Sequence, residues 1–184
     1  MQQFDTIPTI FLVDDDDNLR ESIKRNLRHE PYNLIAVDSP AACLELMSAI
    51  KPHVIISDLF MPDINGSQLL AHFKDNYPDV VRIMISGNFN LNNVLDAVNS
   101  CNVFRCIEKP CQFTGLALAI SEALKYYQLI AQSRELVRKV KKQAELLGET
   151  NVTLNSDYDL SGLIDEALKE VNSIDTALLK YLEK

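Results

Sequence analysis

The chain of 184 residues is long enough for one domain of ordinary size and an additional segment. Its formal net charge of −8 argues against nucleic-acid binding, and its apolar runs are too short to span a membrane. The N-terminus does not resemble a secretory signal, so we expect a cytoplasmic protein whose four cysteines are reduced.

Strand-like and helix-like segments alternate over the first two thirds of the chain. Short β-rich runs occupy 9–13, 33–37, 53–57, 81–86 and 102–108, and helical spacing follows them over 18–29, 40–50, 67–76, 92–100 and 114–127. Five such units predict an α/β fold, in which a parallel sheet is covered by helices on both faces. Ligands of such sheets bind beyond the carboxyl ends of the strands.

The pattern changes near residue 127. Apolar positions from 123 to 147 recur at alternating steps of three and four, with β-branched Ile130 and Val137 at a positions. We therefore expect the fifth helix to continue over 128–147, a polar linker at 148–159, and a second amphipathic helix at 160–184. Two such helices suggest a helical hairpin or a dimer-forming bundle, and packing of one helix on the preceding domain is the alternative.

Carboxylates follow two of the predicted strands. Asp14 and Asp15 come directly after the first strand, Asp16 and Asp17 extend the run, and Asp58 ends the apolar third strand. One of Asp16 and Asp17 is expected to cap the next helix. The cap does not need four carboxylates, and a divalent cation such as Mg²⁺ would relieve their repulsion.

An EF-hand calcium loop is the competing interpretation of the acidic run. It is excluded because Leu19 occupies the position of the required glycine and Arg25 that of the bidentate glutamate.

Further polar residues fall on the same edge of the predicted sheet. Ser86 ends the fourth strand, and Lys109, before Pro110, ends the fifth. A lysine here could neutralise an anion, and the serine could offer a hydroxyl. Pro62 and Gly66 are typical of a turn after the third strand.

Residues 9–127 resemble the receiver domain of two-component response regulators. The matching motifs are VDD at 13–15, SDLFMP at 57–62 followed by Gly66, IS at 85–86 and EKP at 108–110. The resemblance implies a flavodoxin-like (βα)5 sheet with strand order 2-1-3-4-5, and a cis peptide bond between Lys109 and Pro110.

The resemblance also implies a chemistry. Asp58 would accept a phosphoryl group from a histidine kinase or phosphotransfer protein, and Ser86 and Lys109 would contact that group. Mg²⁺, or Mn²⁺ in its place, would be held by Asp14 (mainly through water), Asp15, Asp58 and the backbone carbonyl of Phe60.

The chain departs from the receiver pattern at one notable position. Cys106 stands where the family usually has the aromatic residue that moves when phosphate binds, and Phe104 lies two residues earlier. The resemblance also implies that the positions of Phe60 and Asn88 control access of water to the acyl phosphate, and the bulk of Phe60 then predicts slow self-hydrolysis.

Residues 77–110 resemble receivers attached to HD-GYP-type cyclic-di-GMP phosphodiesterase domains. None of the three histidines is followed by aspartate, as that catalytic domain would require. We therefore expect a signalling switch rather than an enzyme, in which phosphorylation alters protein contacts or homodimerisation through the helical tail.

Two alternatives remain open, and a third is disfavoured. The chain could be a constitutive coiled-coil dimer or adaptor with the receiver as docking module, or the receiver fragment of such a phosphodiesterase. An aspartyl phosphatase is disfavoured, because Phe60 stands where its acid/base carboxylate would be.

Overall fold

The computed structural model describes residues 7–61, 65–87 and 100–150, with side chains to residue 143. The predicted helix at 92–100, apart from its last residue, and the predicted helix at 160–184 lie outside these ranges. So do Pro62 and Asn88.

A five-stranded parallel sheet forms the centre of the fold. Its strands are β1 (Thr9–Val13), β2 (Asn33–Val37), β3 (Val54–Asp58), β4 (Val81–Ser86) and β5 (Arg105–Glu108). The described helices are α1 (Asp17–Leu27), α2 (Pro40–Leu46), α3 (Gly66–Asn76) and α4 (Phe113–Thr150). The strand order β2-β1-β3-β4-β5 confirms the predicted flavodoxin-like arrangement.

Both faces of the sheet are buried. Ile10 and Leu12 of β1 pack in a cluster with residues of α1 and α4, whereas Phe11 and Val13 pack in a second cluster with residues of α2 and α3. Alternate side chains of a strand point to opposite faces, so a strand covered on both sides must be apolar throughout. This explains the uninterrupted apolar runs in the sequence.

Helix α2 is shorter than its spacing predicts. It ends at Leu46 rather than Ile50, and the Ser48 hydroxyl donates a hydrogen bond of 2.8 Å to the carbonyl of Glu45. Ser48 thus offers the backbone an alternative to the next helical turn. Pro52 also restricts the residue before it to extended backbone, which prevents the helix from continuing into β3.

Strand β5 also begins later than predicted, at Arg105 rather than residue 102. Asn102 has a positive φ of 48°, which interrupts an extended chain. The buried guanidinium of Arg82 holds this bend, donating to the carbonyls of Cys101 at 2.9 Å, Asn102 at 3.1 Å and Val80 at 2.7 Å. These carbonyls compensate the burial of the Arg82 charge.

Helix α4 crosses a division of the chain into two compact units, Met1–Gln128 and Leu129–Lys184. It runs to Thr150, past the expected start of the linker at Gly148, because one glycine costs only about 1 kcal/mol within a helix. The coiled-coil pairing over 128–147 and 160–184 stays a prediction. Within the described ranges, no helix has the length and apolar character needed to cross a membrane.

His53 links the start of the sheet to α4. Its Nδ1 accepts a hydrogen bond of 3.1 Å from the amide of Thr9, and its ring centroid lies 4.7 Å from that of Tyr127. Burial lowers the pKa of His53. Only an unprotonated Nδ1 can accept the Thr9 amide, so protonation would remove this bond.

We expect the stability contributed by His53 to be complete above about pH 6.5 and to be lost as the pH falls through the lowered pKa, because the unfolded chain binds the proton more tightly. His53→Asn keeps an acceptor but does not titrate. The unfolding free energy, measured with denaturant at several pH values, should therefore increase less with pH above about pH 5 in the variant than in the wild-type chain. Equal slopes of unfolding free energy against pH in the wild-type chain and in His53→Asn would contradict a contribution from His53 titration. A difference that persists at about pH 8, where His53 does not titrate, would instead measure lost packing.

Candidate functional site

The carboxyl ends of four neighbouring strands form one edge of the sheet. Asp14 follows β1, Asp58 ends β3, Ser86 ends β4 and Lys109 follows β5. The parallel order β1-β3-β4-β5 places these ends side by side. The sheet therefore brings together residues that are up to 95 positions apart in the sequence.

Lys109 joins the two buried carboxylates. Its Nζ lies 2.5 Å from Oδ2 of Asp58 and 2.8 Å from Oδ2 of Asp14. Burial opposes the ammonium charge, but the contacts with Asp14 and Asp58 outweigh it and raise the pKa of Lys109. The lysine remains charged at neutral pH and compensates the carboxylates around it.

The backbone fixes Lys109 in this position. Its amide donates a hydrogen bond of 2.8 Å to the carbonyl of Ser86, which ties the end of β5 to the end of β4. The Lys109–Pro110 peptide bond is cis, as the sequence predicts. Ser86 itself is 1% exposed.

Asp58 is the buried last residue of β3. Its Oδ2 accepts a hydrogen bond from Lys109, and its Oδ1 accepts one of 3.2 Å from the amide of Phe60. The Phe60 side chain is 46% exposed. Both carboxylate oxygens are therefore oriented by fixed donors, next to an apolar ring that is open to solvent.

Asp14 is completely buried. Its Oδ1 accepts a hydrogen bond of 3.0 Å from the amide of Asp16, while its Oδ2 has no hydrogen-bond partner within the described residues apart from the close approach of Lys109. Burial raises the pKa of Asp14, and Lys109 partly opposes this. Such an oxygen is suited to a further positive ligand.

The acidic loop has an ordered geometry. Asp16 caps α1, accepting from the amides of Asn18 at 2.9 Å and Leu19 at 3.1 Å, which confirms one of the two predicted caps. Asp15 is exposed and contributes to the acidic cluster instead. Asp14 and Asp15 thus belong to the acidic cluster, Asp16 caps α1, and Asp17 pairs with Arg20.

Arg20 is the residue of this loop that the sequence analysis missed. Its largely buried guanidinium donates to the carbonyl of Asp14 and to the carboxylate of Asp17. Its position three residues after Asp17 on α1 is the signal that could have indicated the pair. Arg20 stabilises the turn that presents Asp14 and Asp15.

The acidic residues fit a divalent cation. One carboxylate oxygen from each of Asp14, Asp15 and Asp58 lies within 4.8 Å of the other two. Carboxylate oxygens are the ligands that Mg²⁺ prefers.

Gly66 is more than the turn former that its sequence position indicated. A Cβ built on Gly66 would lie 1.6 Å from the carbonyl oxygen of Asp58 and 2.9 Å from Oγ of Ser57. The amide of Gly66 donates to the carbonyl of Leu59 at 3.0 Å. The first residue of α3 therefore packs directly on the backbone of Asp58, and only glycine fits there.

Cys106 lies at the position of the usual aromatic switch residue. Its side chain is half-buried against the cluster of α2 and α3, and burial, with a smaller effect of Cys101, raises the pKa of its thiol to about 11. Phe104 does not take its place, because its ring stacks on Tyr126 with centroids 5.2 Å apart.

Comparison with known families agrees with this geometry. The sequence profile of the response regulator receiver domain matches residues 10–121, well over half of the chain. The chain belongs to the response regulator receiver family. Receiver domains are signalling switches of two-component systems, and they bind Mg²⁺ through acidic residues.

Several longer proteins carry a similar receiver. The hydrogenase transcriptional regulatory protein HoxA of Bradyrhizobium diazoefficiens is 30% identical over 121 residues, which are 66% of this chain and 25% of HoxA. A putative NtrX-like response regulator of Rickettsia conorii is 28% identical over 147 residues, 79% of this chain and 31% of that protein. The chain thus spans about a quarter to a third of the length of these curated relatives.

A solved receiver supports the resemblance to receivers of HD-domain proteins. The receiver of an HD domain-containing protein from Pseudomonas fluorescens Pf-5 is 28% identical and superimposes with a TM-score of 0.64, covering 67% of this chain and 98% of that structure.

Gly66→Ala tests the close approach of α3 to Asp58. We expect the free energy of unfolding to fall by about 3 kcal/mol, because the new methyl group overlaps backbone that cannot move without displacing Asp58. Urea denaturation measures this change. Gly115→Ala is the matched control, since among the described residues no atom outside the adjacent residues and the local helix backbone lies within 4 Å of the added Cβ. The control should leave stability unchanged or raise it by up to about 1 kcal/mol, and an equally small effect at Gly66 would contradict the packing constraint.

Proposed function

We propose that the chain is a response regulator in which Asp58 accepts a phosphoryl group from a histidine kinase or a phosphotransfer protein. The observation that carries the proposal is the contact of 2.5 Å between Lys109 Nζ and Asp58 Oδ2 at the edge of the sheet, beside the acidic cluster. This contact compensates the charge of Asp58, and a charged carboxylate is the nucleophile that the transfer needs.

The proposed transfer is a direct displacement. An oxygen of Asp58 attacks the phosphorus of phosphohistidine, a P–O bond forms, the P–N bond breaks, and its electron pair returns to the imidazole nitrogen of the donor. The attacking group is the carboxylate form of Asp58, so no general base is required. Alignment and charge neutralisation then account for most of the catalysis.

The acidic cluster and Lys109 divide the task of neutralisation. Bound Mg²⁺, or Mn²⁺, would neutralise and align the transferred group. The chain would hold it through Asp14 (mainly through water), Asp15, Asp58 and the backbone carbonyl of Phe60. The ammonium of Lys109 pairs with a phosphoryl oxygen after transfer, and the hydroxyl of Ser86 donates to another.

The signal leaves the site through β4 and β5. The Ser86 carbonyl and the Lys109 amide are hydrogen-bonded, so movement of Lys109 toward the phosphoryl group acts on the ends of both strands. The small half-buried Cys106 supplies no aromatic ring for the usual rearrangement, so we assign the coupling to this strand connection instead.

The proposed output is a change of protein contacts through α4 and the following segment, with homodimerisation through the C-terminal helices. No enzymatic turnover beyond phosphotransfer and slow self-dephosphorylation is proposed. Transcriptional regulation appears in the names of several curated relatives, and an HD domain in that of one solved neighbour. Transcriptional regulation and the HD domain are properties in the names of those proteins, which contain sequence beyond the part that matches this chain.

Beryllofluoride, a phosphoryl mimic, tests the assembly switch. We expect the solution mass, measured by light scattering with Mg²⁺ present, to change when beryllofluoride is added to the wild-type chain. The Asp58→Asn variant should show no change, because it lacks the acceptor carboxylate.

Two outcomes would contradict the assembly switch. A mass that stays dimeric with and without the mimic would make the tail a fixed dimerisation device and would leave the receiver as a docking module. A constant monomer would contradict homodimerisation altogether.

Phe60 should slow the hydrolysis of the acyl phosphate. We expect Phe60→Ala to shorten the lifetime of phosphorylated Asp58 by about threefold or more, which corresponds to ~0.7 kcal/mol of the hydrolytic barrier. The half-exposed ring otherwise restricts the approach of water. Retention of radiolabelled phosphate on the protein measures this lifetime. Phe60→Leu is the matched control, because it keeps apolar bulk and should change the lifetime less than Phe60→Ala. An unchanged lifetime in Phe60→Ala would count against shielding.

A further inference from the structure

A basic surface lies on the part of α4 that belongs to the second unit. A cavity of about 490 Å³ is lined there by Arg134, Val137, Arg138, Lys141 and Lys142. These positions are spaced by three and four residues, so they share one face of the helix. We call this face the basic surface.

Residues 134–142 of α4 carry an excess of positive charge. Residues 134–142 contain five basic side chains and one acidic side chain, a net charge of +4. The acidic one, Glu135, pairs with Lys139 at 2.8 Å. Between described residues, no ion pair involves Arg138, Lys141 or Lys142. Cations spaced by four residues repel one another, so an anionic partner would stabilise this stretch.

The basic surface borders an apolar line. Ile130, Ser133 and Val137 are half-buried, whereas Leu136 on another face is 64% exposed. These half-buried positions belong to the predicted heptad seam, whose next position, Val140, is 47% exposed. Lys141 follows the d position of that seam and so occupies an e position, where charges select the partner helix.

Residues 160–184 match this surface in both charge and pattern. Residues 151–184 contain seven acidic and three basic side chains, a net charge of −4. Asp165, Glu166 and Glu170 lie beside the apolar positions Ile164 and Val171 of the second seam. An apolar stripe flanked by carboxylates is complementary to an apolar stripe flanked by cations.

The connection within the chain is long enough. Residues 151–159 can extend over about 30 Å, more than the ~24 Å length of α4 from residue 134 to its end. A segment tethered in this way is present at an effective concentration of about millimolar, which favours it over the same segment of a second molecule.

We propose that the acidic segment 160–184 docks on the basic surface of α4 in the same chain, and that salt controls its release. This inference rests on no part of the proposed phosphoryl transfer. The contact holds at low ionic strength and opens when the charges are screened. Other partners can therefore bind segment 160–184 only after this internal contact opens.

Hydrogen–deuterium exchange of the full chain tests the docking. Amides of 160–184 should exchange roughly fivefold faster in about 0.5 M salt than at low salt, because exposed ion pairs are screened. At low salt, Arg138→Glu with Lys141→Glu should accelerate them roughly tenfold. Within α4, the carboxylate introduced at position 138 would pair with Lys142, and this attraction offsets the repulsion between the carboxylate introduced at 141 and Glu145.

Two further variants separate docking from nonspecific effects. Lys51→Glu with Lys125→Glu reverses the same number of exposed charges away from the basic surface and should leave exchange of 160–184 unchanged. Adding Glu166→Lys and Glu170→Lys to the α4 reversal should restore slow exchange, because the attraction is rebuilt with opposite signs.

Three results would overturn the proposal. Exchange that is insensitive to salt and to the α4 reversal would show that the acidic segment does not use this surface. A fall of the solution mass from dimer to monomer on reversal would assign the acidic segment to a second copy. Binding of duplex DNA that requires Arg138 and Lys141, with unchanged exchange of 160–184, would assign the surface to nucleic acid.

Discussion

The site depends on keeping two buried carboxylates charged beside each other. Asp14 is fully buried and Asp58 is 6% exposed, and each would cost several kcal/mol without a compensating charge. Lys109 is placed between them by the end of β5, and its backbone is held by Ser86. The contacts at this edge of the sheet hold the Lys109 ammonium against Oδ2 of Asp14 and Oδ2 of Asp58.

The surrounding backbone limits how the site can vary. Arg20 holds the turn after β1, the amide of Phe60 orients one oxygen of Asp58, and Gly66 lets α3 approach the carbonyl of that residue. Arg20 and Gly66 act on the backbone of Asp14 and Asp58, whereas the amide of Phe60 acts directly on a carboxylate oxygen. The position of the Asp58 carboxylate is therefore fixed by packing and hydrogen bonding, and in the proposed function a bound divalent cation would add to the balance of charge.

The sequence predicted the sheet and the site because both follow from local patterns. Apolar runs on two buried faces identify the strands, and the polar residues that end them must meet at one edge of a parallel sheet. What it could not predict depends on contacts between distant segments. Examples are the bend at Asn102 held by Arg82, and the close approach of Gly66 to Asp58. The early end of α2 needed the side chain of Ser48 as well as the spacing of apolar residues.

Cys106 changes what the site must do to send a signal. In this chain the ring of Phe104 stacks on Tyr126, so neither Cys106 nor Phe104 offers a ring that could move toward the site. A phosphoryl group on Asp58 would add negative charge where Lys109 now balances two carboxylates. Lys109 cannot contact all of these oxygens equally, and any shift pulls on a backbone bond shared with β4. In the proposed mechanism Lys109 therefore neutralises the phosphoryl charge and also transmits the signal by moving. In the usual receiver pattern the second role belongs to an aromatic residue.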